Sequence, residues 1–398
     1  MNRLAGAPFA VPLLVPDLPA PETLLPYLHR MHQAQQYSNF GPLVRELEAG
    51  LLDRFAARSP APLALSTVAN ATLGLELVLS ALELPPHSRV LVPSLTFVAT
   101  ATAVLRAGHI PVLADIDPDS WLLTPGIARQ ALQQIAIDVV MPVAAFGSPH
   151  AMAGWHAFQQ ETGVPVVIDA AAAFGSQWLD GFGGTAVFSM HATKSLPAGE
   201  GGFIVSSDAA LVARVRQLSN FGINLDPGPE VPVGMLARIG SNAKMSEYHA
   251  AVGLASLDAW ENRAAVRRAR YQELYEALQA AADGLRWQST AGDVAAPTLL
   301  CVQLPAAGDR EALERSCAAR GIGTRRWYQP LLGRMLSVAP HCVCLPTPVA
   351  SVLASGMIGL PFFPQISAGQ VQAVVAAVAD VLGHRRQRAS RESGALTR

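Results

Sequence analysis

Short apolar runs alternate with helix-like stretches from about residue 60 to 207, and this alternation limits the fold more than any other feature. The runs have the length of buried strands and are Arg89–Ser94, Ile110–Asp117, Asp138–Phe146, Val164–Ala171, Ala186–Met190 and Gly202–Ser206. Helix-like stretches at 70–83, 96–107, 124–135 and 150–162 lie between several of them. This order predicts an α/β fold with a mostly parallel sheet covered on both faces. In such sheets, functional residues collect at the carboxyl ends of the strands.

The 398 residues suit one large and one smaller unit. A long helical pattern over about 245–282 leads into a region that mixes a short strand with helices, at Thr298–Leu304, Arg310–Arg320 and Ala368–Leu382. We therefore predict an N-terminal segment (1–37), a large domain (38–255), a small C-terminal α+β domain (256–383) and a basic tail (384–398). The tail has no apolar periodicity, which predicts disorder.

The charge and hydropathy patterns argue against several classes of protein. A formal net charge of −1 without a basic stripe argues against nucleic acid. No apolar run approaches the roughly 18–20 residues of a transmembrane helix, and Pro8, Pro12 and Pro16 interrupt the N-terminal apolar patch, unlike a signal peptide. We expect a cytoplasmic protein. Neither the four cysteines nor the histidines have the spacing of a metal site.

Lysine is rare in this chain. Of the 29 lysine and arginine residues, only Lys194 and Lys244 are lysine. Lysine can lose its proton and attack a carbonyl group, whereas arginine stays protonated in proteins. The two lysines are therefore candidates for amine chemistry, with chance retention as the alternative.

Lys194 follows a strand-like run and precedes a glycine-rich turn. From Phe188 to Gly202 the segment reads Phe-Ser-Met-His-Ala-Thr-Lys-Ser-Leu-Pro-Ala-Gly-Glu-Gly-Gly. This order places the lysine on a loop at a strand end, where ligands bind, and the glycines permit a tight backbone near a ligand. Ser189 offers a hydroxyl to a phosphate.

Asp169 closes an apolar run, which predicts a buried strand that ends in a charge. A buried carboxylate is costly unless it is paired. The ring nitrogen of pyridoxal phosphate is a suitable partner, because the ring needs a proton there to accept electrons. The alternatives are a helix cap or an arginine pair.

Two further segments supply the other parts of a pyridoxal-phosphate site. Asn70-Ala71-Thr72 opens a predicted helix whose free N–H groups and dipole suit a phosphate, although a plain N-cap has the same pattern. Phe97 follows a strand and can stack on a flat ring, although a lone aromatic is often a core residue. Together these signals predict pyridoxal phosphate bound as a Schiff base to Lys194.

Segments along nearly the whole chain, from Ser38 to Leu382, resemble the DegT/DnrJ/StrS family of pyridoxal-phosphate-dependent aminotransferases. The most specific match is the pair Phe-Ser-Met-His-Ala-Thr-Lys and Gly-Glu-Gly-Gly. The other matching segments are Ser38–Glu48, Pro93–Thr100, Gly108–Asp117, Gly240–Met245, Trp327–Leu331 and Leu360–Pro364.

This resemblance implies the type I fold of pyridoxal-phosphate-dependent transferases and a homodimer with shared active sites. It implies that Lys194 carries the cofactor, that Asp169 pairs with the pyridine nitrogen and that Phe97 stacks on the ring. The phosphate contacts that it implies are Ala71, Thr72, Ser189 and, from the other subunit, Asn242.

Three positions depart from the family pattern. Ala172 stands where the family has a glutamine or histidine that contacts the cofactor's phenolic oxygen. Leu332 stands where the family often has a histidine facing the substrate, and Lys244 replaces an arginine. These changes concern the substrate and the reaction more than the binding of the cofactor.

By this resemblance the expected activity is transfer of an amino group, from glutamate, to a nucleotide-linked keto-sugar in surface-polysaccharide or secondary-metabolite biosynthesis. One alternative is a sugar dehydratase or lyase, but the dehydratase branch carries histidine at the position of Lys194. The other alternative is a non-catalytic relative that serves as a binding subunit.

Overall fold

The computed structural model describes residues 9–225, 231–292, 294–306, 308–335 and 337–395, with side chains as far as Gly383. The helices are α1 (Pro21–Ala34), α2 (Pro42–Ala56), α3 (Ala71–Ala81), α4 (Val98–Arg106), α5 (Pro125–Leu132), α6 (Met152–Thr162), α7 (Ala209–Ser219), α8 (Glu247–Asp258), α9 (Trp260–Ala281), α10 (Asp309–Ala319), α11 (Pro348–Gly356) and α12 (Ala368–Ala395). The strands are β1 (Ala64–Val68), β2 (Arg89–Pro93), β3 (Ile110–Ala114), β4 (Val139–Val140), β5 (Val167–Asp169), β6 (Thr185–Ser189), β7 (Gly202–Ser206), β8 (Leu300–Gln303), β9 (Val343–Cys344) and β10 (Met357–Leu360).

The large sheet consists of two four-stranded parts, in the orders β1-β7-β6-β5 and β4-β2-β3-β9. Parallel bridges between Val140 and Val166 and between Val143 and Asp169 join the two parts. Strand β7 is antiparallel to both of its neighbours, and the other neighbouring strands of each part run parallel. The predicted α/β class with a mostly parallel sheet is therefore confirmed.

Both faces of the large sheet are covered. Successive side chains of a strand point to opposite faces, and along β6 the side chains of Ala186 and Phe188 enter one apolar cluster while Val187 enters another. Helices α2 and α8 contribute to the first cluster, and α3 and α7 contribute to the second. All five residues of β6 are buried, which explains why its sequence has no polar alternation.

The C-terminal part has its own apolar cluster around the antiparallel pair β8–β10, against α9, α10 and α12. Two segments connect this part to the rest of the chain. Strand β9 pairs with β3 at the edge of the large sheet. At the N-terminal end of the described chain, Val11 forms a bridge with Ile322, and the Leu13 carbonyl accepts a hydrogen bond from the Phe362 N–H at 2.9 Å.

Two predicted elements differ in the structure. The long helix over 245–282 is two helices, α8 and α9, with a break at Ala259. There the chain turns as Trp260 enters the core, where its ring packs edge-on against Phe174 with centroids 4.6 Å apart. The tail predicted to be disordered is helical as far as Ala395. It contains arginine, glutamine and alanine, which favour helices, and it has no proline to end α12. Residues 396–398 of that tail lie outside the described residues. No helix within the described residues is long and apolar enough to cross a membrane.

Candidate active site

The carboxyl ends of β5 and β6 carry three of the predicted site residues. Asp169 is the last residue of β5, Ser189 is the last residue of β6, and Lys194 lies in the loop between β6 and β7. Strands β5 and β6 are parallel neighbours, so their carboxyl ends meet at one edge of the sheet. The structure therefore brings the lysine and the carboxylate together, and their charges interact.

Backbone hydrogen bonds fix the shape of the loop that carries Lys194. The Met190 N–H donates to the Gly201 carbonyl at 2.8 Å, and the Ala192 N–H donates to the Gly199 carbonyl at 2.8 Å. The Lys194 N–H donates to the His191 carbonyl at 2.9 Å, which closes a turn just before the lysine side chain. Lys194 is half-buried. Burial lowers the pKa of its amine, and the nearby Asp169 opposes this shift.

Asp169 is a buried carboxylate, only 4% exposed. Its Oδ2 accepts a hydrogen bond from the Thr100 hydroxyl at 2.8 Å, and its Oδ1 accepts one from the Ala171 N–H at 3.2 Å. Burial raises the pKa of Asp169, while these two donors and the charge of Lys194 lower it. A cation against the remaining lone pairs would stabilise the ionised form.

The start of α3 lies beside the end of β6. Asn70 is the N-cap of α3, and its side chain accepts a hydrogen bond from the Leu73 N–H at 2.9 Å. Ala71 and Thr72 occupy the first turn, where N–H groups have no partner within the helix. Gly202 pairs with Ser189, and a Cβ on this glycine would lie 2.8 Å from the Ala71 nitrogen. Glycine at this position thus lets the start of α3 approach Ser189, which brings free N–H groups and a hydroxyl together, an arrangement that suits a phosphate.

Phe97 caps α4 and is 52% exposed, so it is available to a ligand. Its ring lies 6.1 Å from that of Tyr328, which in turn stacks on Phe146 at 5.2 Å with an interplanar angle of 8°. Burial is the main cause that raises the pKa of Tyr328, and the nearby Asp169 adds to it. The sequence did not predict a role for Tyr328, although this residue lies in the segment Trp327–Leu331 that resembles the family.

Asn242 and Lys244 lie in the segment that leads into α8. The Lys244 amine donates to the Asn242 side chain at 2.8 Å and lies 4.6 Å from the centre of the Phe221 ring. The Asn242 side chain is exposed, and the next residue, Ala243, accepts a hydrogen bond from the Ala69 N–H at 2.7 Å. The segment that carries Asn242 therefore runs beside the loop that leads into α3 of the same chain.

The other two departures from the family pattern have different surroundings. Leu332 is fully buried in the apolar cluster that contains Leu113 and Val338. Its side chain is therefore part of the core. Ala172 is half-buried, and its carbonyl lies 2.9 Å from where a Cβ on Gly147 would be. That close approach explains glycine at position 147, whose φ of +89° also favours glycine.

The arrangement fits pyridoxal phosphate. An amine with a lowered pKa suits the aldehyde of the cofactor. A buried carboxylate with free lone pairs suits a protonated ring nitrogen, and a helix start closed in by glycine suits a phosphate. Asp169 and Ser189 end neighbouring strands, Lys194 lies in the loop after β6, and the start of α3 lies beside Ser189.

Comparisons with known proteins agree with this geometry. The model of the DegT/DnrJ/EryC1/StrS aminotransferase family matches residues 21–379. Protein Rv3402c of Mycobacterium tuberculosis is 32% identical over an aligned length of 385 residues, and the alignment covers 92% of this chain and 89% of that protein.

Two solved structures share the fold. DesI, solved in the presence of its TDP-sugar product, is 31% identical, with a TM-score of 0.79 over 98% of this chain and 97% of that chain. DesV from S. venezuelae, solved with a ketimine intermediate, is 26% identical, with a TM-score of 0.80 over 94% of this chain and 98% of that chain. These matches confirm the predicted type I fold of pyridoxal-phosphate-dependent transferases.

Proposed function

Because this chain belongs to the DegT/DnrJ/EryC1/StrS aminotransferase family, whose members depend on pyridoxal phosphate, we propose that it aminates a nucleotide-linked keto-sugar with glutamate as the donor. The observation that carries this proposal is the pair formed by Lys194 and Asp169. A half-buried amine with a lowered pKa and a buried carboxylate with free lone pairs lie on neighbouring strand ends. A dehydratase of this family lacks that lysine, and a mere binding subunit does not need the pair.

Each residue has a distinct task in the proposed reaction. When bound, the cofactor supplies an aldehyde for the amino group and a ring that stores an electron pair. The Lys194 amine would hold the cofactor, and when free it would accept the proton from the substrate carbon as a general base. Its lowered pKa leaves more of the amine unprotonated, which a general base requires.

The other site residues bind and orient. Asp169 keeps a proton on the ring nitrogen, and Phe97 stacks on the ring face. The N–H groups of Ala71 and Thr72 and the Ser189 hydroxyl bind the phosphate. Asn242 reaches the phosphate site of a second subunit in this proposal.

A homodimer in the cytoplasm is part of the proposal. Large apolar side chains are exposed within residues 221–225 and 231–239, and Ile239 is 92% exposed. Such a concentration of exposed apolar side chains is typical of an interaction surface. The same segment precedes Asn242, so a second copy seated there would meet the residue assigned to the shared site.

The relative solved with its TDP-sugar product, which is 31% identical over nearly the whole chain, supports this substrate class. The proposed product belongs to surface-polysaccharide or secondary-metabolite biosynthesis. The support for glutamate as the amino donor is the family resemblance.

Absorption spectroscopy of the purified protein tests the proposal. We expect a yellow protein that bleaches on addition of glutamate and recovers its colour when a TDP-linked keto-sugar is added. A panel of nucleotide keto-sugars and cyclic ketones identifies the acceptor. A yellow protein that is inert to amino donors would favour a dehydratase or lyase, and a protein that binds no cofactor would leave only a binding role.

A further inference from the structure

Two threonines on α4 and just before it make a hydrogen-bonded chain that ends at Asp169. The Thr96 and Thr100 hydroxyl oxygens are 3.1 Å apart, and Thr100 donates to Asp169 Oδ2 at 2.8 Å. Both threonines are 1% exposed, so water does not compete for these bonds. Thr96 and Thr100 lie on either side of Phe97, the N-cap residue of α4, where the backbone is extended before the helix begins.

The direction of this chain is fixed by counting protons. A threonine hydroxyl has one proton, and that of Thr100 goes to Asp169. In the contact between the threonines, Thr96 is therefore the donor. Since Asp169 Oδ1 also accepts, from the Ala171 N–H, both carboxylate oxygens are acceptors. That pattern matches an ionised carboxylate.

The same helix start positions a second part of the site. Phe97 lies between the threonines in the sequence, is exposed, and is the N-cap residue of α4. The Thr100 N–H donates to the Phe97 carbonyl at 3.3 Å. The start of α4 thus carries both the hydroxyl that binds the Asp169 carboxylate and the exposed ring of Phe97.

We propose that Thr96 and Thr100 are positioning residues that keep Asp169 ionised and aimed at the ring nitrogen of the cofactor. This inference rests on the proposed function, because it assumes the role given there to Asp169. Two charged or titratable groups from other elements face the carboxylate, Lys194 from the β6–β7 loop and Tyr328 from the C-terminal part. The threonine hydroxyls add hydrogen bonding to the Asp169 carboxylate that Lys194 and Tyr328 do not provide.

The test compares Thr100→Val, which keeps the shape and removes the hydroxyl, with Thr100→Ser, which keeps the hydroxyl. A hydrogen bond to a charged group is worth enough to change a dissociation constant about 10- to 100-fold. We expect that increase in the pyridoxal-phosphate dissociation constant for Thr100→Val, measured by absorbance titration, and near wild-type affinity for Thr100→Ser. Thr96→Val should have a smaller effect in the same direction.

The pH dependence gives a readout that packing alone does not change. A lost donor raises the pKa of Asp169, so the affinity of Thr100→Val for the cofactor should fall off at a higher pH than that of the wild type. Circular dichroism and thermal melting of each apoprotein identify a variant that fails to fold. If Thr100→Val does not fold, Thr96→Val replaces it in both measurements.

The variant Asp169→Asn distinguishes an error in the role of the threonines from an error in the role of Asp169. If Asp169→Asn weakens cofactor binding while Thr100→Val leaves both the dissociation constant and its pH dependence unchanged, the role of the threonines is wrong and the proposed function stands. If Asp169→Asn itself leaves the dissociation constant unchanged, the role of Asp169 is wrong, and the inference about the threonines is overturned with it.

Discussion

Asp169 and Glu247 are both buried carboxylates that accept one hydrogen bond at each oxygen, and they differ in the kind of donor and in the charge nearby. Glu247, the first residue of α8, is fully buried and accepts hydrogen bonds from the Leu43 N–H at 2.8 Å and the Val44 N–H at 3.0 Å. Those N–H groups belong to the first turn of α2, whose N-cap, Gly41, offers no side chain. Glu247 therefore caps a helix from 200 residues further along the chain, with each oxygen held by the backbone.

Asp169 has a different set of partners. One backbone N–H and one hydroxyl bind it, and a lysine amine lies nearby. In one region both donors are backbone N–H groups at a helix start, where the dipole favours negative charge. In the other region one donor is a side-chain hydroxyl, and a lysine amine interacts with the carboxylate. The buried charge that stabilises the fold is held by the backbone alone, whereas the one proposed for chemistry is surrounded by side chains that can take part in it.

The largest expected effect belongs to Lys194. Lys194→Arg keeps the charge but removes the amine that can lose its proton, so we expect amino transfer to fall about 10²- to 10⁴-fold or more. Lys244→Arg is the matched control and should keep most of the activity. The measurement is the rate of product formation with glutamate, together with mass spectrometry after borohydride trapping. A label on any peptide other than the one holding Lys194 would contradict the assignment.

The next effect concerns the stability of the two carboxylate regions. Glu247→Gln turns an amide N–H group toward a backbone N–H, so we expect a loss of about 2–3 kcal/mol in the free energy of unfolding. Asp169→Asn removes a buried charge, and the apoprotein should lose little stability or gain some. Urea denaturation of both apoproteins measures this difference. Equal losses in the two variants would break the comparison between the regions.

A smaller effect is expected from Gly41→Ala. The new Cβ would lie 2.7 Å from Glu247 Oε1 and 2.9 Å from its Oε2, so the carboxylate must move away from the N–H groups that it caps. We expect a loss of about 1–2 kcal/mol. Gly369→Ala in α12 is the control, because its Cβ would have nothing within 4 Å, and alanine favours the helix. Thermal melting of the two variants checks this, and similar melting temperatures would argue against tight packing at Gly41.

The smallest effect is a dependence of apoprotein stability on pH. Because the pKa of Asp169 is raised in the folded state, its contribution is complete below the pKa of the unfolded chain and is lost as the pH rises through the folded value. The wild-type apoprotein should therefore lose stability across that interval relative to Asp169→Asn. Urea midpoints of both proteins over a pH series measure the difference. Parallel curves would mean that Asp169 has the same pKa in both states.

The sequence predicted the parts of the fold that depend on local pattern. The apolar runs that became β2, β3, β5, β6 and β7 are continuous because both faces of the sheet are covered. Lys194 and Asp169 could be found because a strand end next to a glycine-rich turn is a local signal. The break at Ala259 was missed because it depends on the contact between Trp260 and Phe174, which are distant in the chain.

The parts of the candidate site that the sequence did not predict were missed for the same reason, because they depend on contacts between residues distant in the chain. Thr100 stood in a recognised segment, but its importance comes from Asp169, which lies 69 residues further along the chain. Tyr328 approaches Phe97 and Phe146 from the C-terminal part, and no periodicity marks such a contact. Leu332 stands where the family often has a histidine facing the substrate, and only the packed core shows that the leucine side chain is buried.

The pairing of β9 with β3 also affects how the chain folds during synthesis. Strand β3 is formed by Ile110–Ala114, whereas Val343–Cys344 leaves the ribosome only when most of the chain has been made. Until then the outer edge of the nascent sheet has unpaired N–H and carbonyl groups, which can pair with another chain. Long-range pairing of this kind is slow and exposes chains to aggregation. The last step in completing this sheet therefore waits for nearly full-length translation, and chains released before Cys344 should aggregate more readily than complete ones.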